Sequence, residues 1–176
     1  MELQQATHTS PAAFGAIAAQ ASEPARQFIT CTLGEAEYGI DIMAVREIKG
    51  WIETTSLPHA PPWIRGVINL RGIIVPILDL RARFDQGSTT PTPMHVVVII
   101  QTGARTAGLL VDAVSDIIAI SPSDIRPVPD IGSDVPESLL AGLVPLQRGM
   151  VALVSIDQLL CFPADAAAMV SPVPNA

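Results

Sequence analysis

Four consecutive residues, Asn69-Leu70-Arg71-Gly72, form the segment whose residue types most suggest chemistry. Glycine tolerates a positive φ, so the segment fits a turn between two strands that leaves Arg71 in solvent. The guanidinium group is also a rigid fork of hydrogen-bond donors, and beside an apolar strand it is typical of a protein–protein interface. The spacing alone leaves both interpretations open, a solvated turn or an interface anchor.

Three pairs of carboxylates lie close enough in sequence to act together as an acid and a base. They are Glu35 with Glu37, Asp41 with Glu47, and Asp112 with Asp116. Acid–base catalysis at neutral pH needs a carboxyl group whose pKa is shifted by burial or by a nearby charge. The sequence shows no such desolvation and favours solvated turns and strand ends. We therefore predict no catalytic residue.

Residue types that bind phosphate or metal ions are sparse. Lys49 is the single lysine, and no glycine-rich phosphate loop surrounds it. The three histidines are far apart in sequence: His8, His59 and His95. No metal site and no cofactor are therefore predicted. Cys31 and Cys161 are interpreted as buried, free thiols, since an isolated cysteine in a reducing compartment behaves as a small apolar residue.

Composition and charge exclude several classes of partner. The chain has 176 residues and a formal net charge of −7, which argues against nonspecific nucleic-acid binding and against a basic membrane anchor. The longest apolar runs, residues 73–78 and 96–100, are much shorter than the roughly 18 residues of a membrane span. No signal peptide is visible, so we expect a cytoplasmic protein. A charged share of only 15% indicates partly hidden surface, such as an assembly interface.

Short apolar runs rich in β-branched residues predict an all-β domain with a few short helices. Ten strands are expected, at residues 27–33, 37–42, 45–52, 67–69, 73–78, 95–101, 105–111, 114–120, 142–146 and 150–154. Asp79 and Ser155 should each cap a short helix, over residues 80–84 and 156–160, because their side chains accept hydrogen bonds from free helix amides. The domain should span residues 27–162, between flexible tails at residues 1–26 and 163–176.

The chain contains an internal duplication. Residues 39–48 align with residues 108–117 at an offset of 69, and residues 66–80 align with residues 142–156 at an offset of 76 or 77. Each copy is predicted to form five strands followed by a capped helix, which suits a small barrel that hides its strand edges. We therefore expect two small barrels, one from each copy.

The two copies differ in charge. Residues 26–86 hold seven basic and seven acidic residues, whereas residues 87–165 hold three basic and eight acidic residues. Halves with such different charge would suit different partners.

A set of motifs runs through residues 27–160. They are Tyr38-Gly39-Ile40-Asp41-Ile42, Val45-x-Glu47-Ile48, Pro58-x-x-Pro61, Gly66-Val67-Ile68-Asn69-Leu70-Arg71-Gly72, Val75-Pro76-Ile77-Leu78-Asp79-Leu80-Arg81, Gly108-Leu109-x-Val111-Asp112-x-Val114 and Ile125-x-Pro127-x-Pro129. In these motifs the sequence resembles the CheW family of chemotaxis coupling proteins. The Asn-Leu-Arg-Gly segment followed by Val-Pro-x-x-Asp-Leu-Arg makes the match specific.

The resemblance implies two five-stranded SH3-like β-barrels packed face to face. It implies a non-enzymatic adaptor that links methyl-accepting chemoreceptors to the histidine kinase CheA and helps to build their arrays. A groove between the barrels would receive the receptor tip, and a separate barrel face would bind the regulatory domain of the kinase. Such an adaptor has no cofactor and is recruited from the cytoplasm to receptors at the membrane. The motifs do not distinguish it from a coupling module of a parallel, non-flagellar chemosensory pathway.

The resemblance also assigns roles to residues that match the family's motifs. Six match positions associated with receptor coupling: Val45, Glu47, Arg71, Gly72, Val114 and Ile117. Three match glycines whose disruption impairs function, although glycine at a tight strand entry also has a purely structural explanation: Gly66, Gly108 and Gly142. No residue is assigned to the kinase contact. The rival classes are a small enzyme on a barrel scaffold and a scaffold for a different kinase.

Overall fold

Ten β-strands and two short α-helices form the part of the chain that the structure, a computed structural model, describes, residues 23–130 and 137–161. The strands are β1 (Arg26–Leu33), β2 (Ala36–Asp41), β3 (Val45–Gly50), β4 (Ile64–Leu70), β5 (Ile73–Asp79), β6 (Val96–Thr102), β7 (Arg105–Val111), β8 (Ala113–Ile120), β9 (Leu140–Leu146) and β10 (Gly149–Val154). All ten predicted strands are present. The tails predicted at residues 1–26 and 163–176 lie outside the described residues, except for residues 23–26.

The strands form two five-stranded sheets. Their strand orders are β8-β1-β2-β10-β9 and β3-β6-β7-β5-β4. Most neighbours are antiparallel, and each sheet contains one parallel pair, β2 with β10 or β5 with β7. The predicted fold class, two five-stranded SH3-like barrels, is confirmed. We call the sheet of β3–β7 the contiguous barrel, and the sheet of β1, β2 and β8–β10 the split barrel.

The prediction that each copy forms its own barrel is wrong. The split barrel takes β1 and β2 from the first copy and β8–β10 from the second, and the contiguous barrel takes the remaining strands of both. The chain changes sheets where a connection is very short, over Ile42–Ala44 after β2 and over Asp112 after β7. The exchange leaves the apolar pattern of each strand unchanged, because the two barrels have equivalent strand orders and each strand occupies an equivalent place in either barrel.

Three apolar clusters hold the molecule together. One fills the contiguous barrel and includes Val97 and Ile99, and a second fills the split barrel around Phe28. The largest cluster lies between the barrels and takes side chains from both sheets, among them Ile40 and Val98. Adjacent residues of β6 therefore face different clusters. This burial on both faces explains why residues 96–100 form a continuous apolar run and do not alternate.

Both predicted helices are present, but only one of the predicted side-chain caps forms. At the start of α1 (Leu80–Arg83), Asp79 Oδ1 accepts hydrogen bonds from the amides of Arg81 and Ala82, at 3.1 and 3.4 Å. At the start of α2 (Ile156–Leu159), the Ser155 side chain makes no capping hydrogen bond. The Asp79 carboxylate is buried, and Thr89 donates two hydrogen bonds of 2.7 and 2.8 Å to it. Within residues 23–130 and 137–161, no helix has the length and apolar content to span a bilayer.

The net charges of the two barrels differ more than the net charges of the two sequence copies do. Residues 45–112, which hold the contiguous barrel, carry seven basic and five acidic residues, a net charge of +2. Residues 26–44 and 113–160, which hold the split barrel, carry three basic and nine acidic residues, a net charge of −6. The exchange of strands therefore concentrates the negative charge on one barrel.

Both cysteines are free, as predicted, but only one is buried. Cys31 lies in the cluster between the barrels and has no exposed surface. Cys161 is exposed, which corrects the prediction. It lies two residues beyond the end of α2 and next to the buried Leu160.

Candidate functional site

The Asn-Leu-Arg-Gly segment forms the turn between β4 and β5. Leu70 pairs with Ile73, so Arg71 and Gly72 are the two central residues of the hairpin. Their φ values of 55° and 88° are both positive, as a type I′ turn requires. The amide of Gly72 donates a hydrogen bond to Asn69 Oδ1 at 2.7 Å. The turn interpretation is confirmed, and the turn holds an exposed Arg71 at the tip of an ordered hairpin.

Glu47 joins Arg71 across the seam of the contiguous barrel. β3 and β4 are the two edge strands of its sheet. Arg71 Nη2 lies 3.1 Å from Glu47 Oε2, and Lys49 Nζ lies 3.5 Å from Glu47 Oε1. The Glu47 side chain is 25% exposed and the Arg71 side chain 81% exposed, so the carboxylate is the anchored partner. The structure therefore brings Glu47, Arg71 and Gly72 together.

β3 presents Val45 and Glu47 on one face. Burial alternates along the strand, with Val45, Glu47 and Lys49 half-buried and the residues between them exposed. Val45 packs against the apolar cluster between the barrels. The pairing of β3 with β6 is interrupted by a bulge between Val45 and Glu47. Bulges on edge strands change the direction of side chains. This bulge lies between Val45, which makes the apolar contact, and Glu47, which makes the ion pair.

Val114 and Ile117 lie on β8, an edge strand of the split barrel. Val114 packs against the cluster between the barrels, as Val45 does, whereas Ile117 is 53% exposed. The register of β8 against β1 shifts at the same place in the repeat as the bulge in β3. The six predicted coupling residues thus lie on both barrels: four belong to the Glu47–Arg71 site and two to its repeat equivalent.

Exposed apolar side chains accompany these residues, and sequence reasoning did not assign them a role. Ile48 on β3 is 45% exposed, and Ile73 and Ile74, which directly follow the Arg71 turn, are 58% and 51% exposed. Ile48 is the repeat equivalent of Ile117 at the offset of 69, and that relation was the available signal. The sequence contains no signal for Ile73 and Ile74, because they begin an apolar run whose later residues are buried in β5.

Each of the three predicted coupling glycines has a packing reason. A Cβ atom on Gly66, whose φ is 142°, would lie 2.3 Å from the carbonyl oxygen of Thr55. A Cβ atom on Gly142 would lie 2.4 Å from Ile125 Cγ2, at the equivalent place in the other barrel. On Gly108 it would lie 2.4 Å from Ile77 Cδ1, across the parallel pair of β7 with β5. Close approach of neighbouring segments therefore requires glycine at all three positions.

Four of the carboxylates that could have formed catalytic pairs bind arginines instead. The pairs are Asp41 with Arg26, Glu47 with Arg71, Asp112 with Arg81, and Glu37 with Arg148. Burial opposes ionisation of Asp112, but hydrogen bonds from Arg81 and the Gly34 amide, with the charges of Arg81 and His95, hold its pKa below the ordinary value. A carboxyl group with a lowered pKa is a poor proton donor at neutral pH, so this geometry favours a structural role.

The cluster around Asp112 joins the two barrels. Arg81 is the second residue of α1, after β5, and Gly34 lies in the β1–β2 turn of the split barrel. Both donate hydrogen bonds to the Asp112 carboxylate, from Arg81 Nε at 3.1 Å and from the Gly34 amide at 2.7 Å. His95 Nε2 lies 3.6 Å from the same carboxylate. We call this set of four residues the inter-barrel clamp.

The described residues offer little to a metal ion. Within residues 23–130 and 137–161, no group of three or more His, Cys, Asp or Glu side chains is placed to hold one. What the site presents is therefore a hairpin tip with an anchored ion pair, an adjoining apolar edge strand and exposed isoleucines. Such a combination suits the binding of another protein, with apolar contact for affinity and charges for orientation.

Comparison with known proteins agrees with this geometry. A family model described as the CheW-like domain matches residues 27–161. The chain is 45% identical to the chemotaxis protein CheW of Rhizobium meliloti (strain 1021), over 80% of this chain and 89% of that protein. It is 33% identical to the protein FrzA of Myxococcus xanthus, over 73% of this chain and 79% of that protein.

A solved structure has the same fold. The crystal structure of the scaffolding protein TtCheW from Thermoanaerobacter tengcongensis matches with a TM-score of 0.69 and 28% sequence identity, over 87% of this chain and 91% of that one. Two SH3-like barrels, a family model that spans both of them and relatives that match over most of their length lead to one conclusion. The chain belongs to the CheW-like family of chemotaxis coupling proteins.

Proposed function

We propose that this protein is a non-enzymatic adaptor that couples methyl-accepting chemoreceptors to the histidine kinase CheA. Membership of the family supports coupling in chemotaxis. The observation that carries the proposal is the Glu47–Arg71 ion pair, held at a hairpin tip beside half-buried Val45. An adaptor acts by holding two partners in a fixed geometry and so raises their effective concentration. It would work in the cytoplasm, at receptor arrays.

The receptor contact is assigned to Val45, Glu47, Arg71 and Gly72, with Val114 and Ile117 on the other barrel. A helix of the receptor tip would bury the part of Val45 that is still exposed, a contact worth about 1 kcal/mol. Arg71 and Glu47 would fix the orientation of that helix from the rim, where charges affect association rate and register more than affinity. Because the ion pair is already formed, these side chains lose little freedom on binding.

The kinase contact is assigned to a different face. CheA is expected to carry a regulatory domain of the same two-barrel kind, so an end-to-end contact between like barrels can repeat with pseudo-symmetry and close into rings. Inserting a charge at Val45 should then abolish receptor binding and change the affinity for the isolated kinase domain by no more than about threefold. Loss of both interactions in a folded variant would replace this model with one shared surface.

The experiment that tests the function is reconstitution of kinase activity with receptor-containing vesicles, CheA and this protein. Arg71→Ala should reduce receptor-stimulated kinase activity about tenfold, through loss of one charged contact. Arg148→Ala is the matched control, because Arg148 is an exposed arginine in the equivalent β9–β10 turn and pairs with Glu37. Full coupling by a folded Arg71→Ala variant would contradict the receptor assignment, and phosphotransfer by this protein alone would contradict the adaptor.

The similarity to the protein FrzA supports a second candidate function. The alternative is a coupling module of a parallel, non-flagellar chemosensory pathway, built on the same two surfaces. Deleting the gene distinguishes the two pathways: loss of swimming chemotaxis supports the first, and an unchanged swimming response with a different behavioural defect supports the second.

A further inference from the structure

An open groove of about 450 Å³ lies beside the β6–β7 turn, on the side of the molecule where α2 begins. Its wall includes Met43 after β2, Thr102 at the end of β6, Gly103 in the turn, and Asp157 in α2. None of the six residues assigned to receptor coupling lines it. The groove is therefore separate from the proposed receptor surface.

The internal duplication gives this groove a counterpart elsewhere in the molecule. The repeat offsets relate Met43 to Asp112, Gly103 to Gly34 and Asp157 to Arg81. The counterpart of the groove is therefore the inter-barrel clamp. There the guanidinium of Arg81 donates from Nε and Nη2 to the two oxygens of the Asp112 carboxylate, and the Gly34 amide donates to the same group. At that junction the chain supplies both members of the ion pair.

At the open junction the chain supplies only the acid. Asp157 Oδ1 accepts a hydrogen bond from the Thr102 hydroxyl at 2.8 Å. The position of the counter-charge is taken by Met43, which points into solvent with 87% exposure. Arg26, also in the wall, is held by Asp41 at 2.5 Å and lies over the Phe28 ring at 5.3 Å. Among the described residues, no cation lies within salt-bridge distance of Asp157.

We propose that this groove binds an arginine side chain presented by a partner protein. Its guanidinium would pair with Asp157 and its methylene stem would lie on Met43. At the counterpart a guanidinium pairs with a carboxylate, with the arginine at the position of Asp157 and the carboxylate at the position of Met43. The planar fork of arginine matches a carboxylate better than an ammonium does. The split barrel, which supplies most of the residues that line the groove, carries most of the negative charge of the molecule, so a basic segment would be attracted to it.

The test uses the full-length protein labelled with ¹⁵N and two small probes, N-acetyl-L-arginine amide and its uncharged analogue N-acetyl-L-citrulline amide. The arginine probe should give saturable amide shifts at Gln101, Thr102, Gly103 and Asp157. The citrulline probe should bind about tenfold more weakly, since hydrogen bonds to a charged group are worth more than neutral ones. Asp157→Asn should remove the preference for arginine. Glu35→Gln, an exposed carboxylate outside the groove, is the matched control and should keep the preference.

A second variant installs the missing pair. Met43→Asp with Asp157→Arg reproduces the clamp at the open junction, so it should raise the melting temperature and abolish binding of the arginine probe. Equal binding of both probes, unchanged binding by Asp157→Asn, or no saturable shift overturns the proposal. Self-association that disappears in Asp157→Asn would mean that the arginine comes from a second copy, and would overturn the assignment to a partner. All of these readouts are independent of kinase coupling.

Discussion

The carboxylate of Asp112 connects both barrels, because Arg81, His95 and the Gly34 amide all converge on it. The hydrogen bonds and charges of these groups outweigh burial and lower the pKa of Asp112 in the folded protein. A lowered pKa means that ionised Asp112 stabilises the fold at pH values above its unfolded pKa, near 4. That stabilisation is lost as the pH falls through the folded pKa.

Replacing Asp112 with Asn should therefore have a pH-dependent effect. At pH 7 the free energy of unfolding should fall by about 1–3 kcal/mol, because charged hydrogen bonds are replaced by weaker ones. The difference from the wild type should shrink in acid, where the wild-type carboxyl group is protonated as well. Urea unfolding at neutral and acid pH measures both quantities, with exposed Asp124→Asn as the control. A difference that does not depend on pH would contradict this role of the ionised carboxylate.

The two thiols should differ sharply in reactivity. Burial, and to a smaller extent the charge of Asp112, raises the pKa of Cys31 to about 12, so its reactive thiolate form is scarce at neutral pH. Cys161 is exposed. A thiol reagent should label Cys161 within minutes and Cys31 only on the timescale of unfolding. Mass spectrometry of the two cysteine-containing peptides measures this, and fast labelling of Cys31 would show that the cluster between the barrels opens readily.

At the scale of the element, the close parallel pair of β7 with β5 depends on Gly108. In Gly108→Ala the new methyl group would lie 2.4 Å from Ile77 Cδ1 and 2.8 Å from Val97 Cγ1. Overpacking of this kind should cost about 1–3 kcal/mol of stability. Ile77→Val removes the nearer atom, so the double variant should be more stable than the sum of the single effects predicts. Chemical unfolding of the four proteins measures this coupling.

Gly50→Ala is the matched control for that cycle. Gly50 ends β3, its φ is not positive, and a Cβ atom there would meet nothing within 4 Å. This substitution should change stability by less than about 0.5 kcal/mol. Strictly additive effects of Gly108→Ala and Ile77→Val would show that the strands separate to accommodate the methyl group, and would contradict a rigid parallel pair.

The elements themselves were largely predictable from sequence, because strand formation follows local patterns of β-branched residues and turn residues. The Arg71 turn is an example, since Asn69 and Gly72 are the residues that its geometry requires. Local sequence did not distinguish the two caps: Asp79 is held by Thr89, ten residues away, and caps its helix, whereas Ser155 makes no capping hydrogen bond. The Glu47–Arg71 pair also lay beyond sequence reasoning, since the closure of a sheet brings its two edge strands together.

At the scale of the whole molecule, the exchange of strands makes the two sequence copies interdependent. Each barrel contains strands from both copies, and the largest apolar cluster lies between the barrels. Sequence patterns describe single strands, so they predicted two barrels correctly and divided the strands between them incorrectly. The pairing of β1 with β8 joins residues that are distant in sequence, such as Ile29 and Ile117. A local sequence pattern cannot predict such a pairing.

The interdependence predicts the behaviour of fragments. Residues 23–86 and residues 87–161, the two copies expressed separately, should each lack a cooperative unfolding transition, because neither can complete a barrel. Mixing the two fragments should restore the β-sheet circular dichroism and a single transition. A native-like transition in either fragment alone would show that a copy can form a barrel without its partner, as the sequence had suggested.

The division of strands also sets an order of events during synthesis on the ribosome. All five strands of the contiguous barrel lie between Val45 and Val111, so this barrel has its full set of strands while the C-terminal third of the chain is still being made. The split barrel begins with the first strands to emerge but waits for β10, which ends at Val154. The β1–β2 hairpin therefore spends most of translation without its final neighbours, with apolar residues that nascent-chain chaperones recognise. A pause in translation just after β7 would leave the contiguous barrel with all its strands and the split barrel with only β1 and β2.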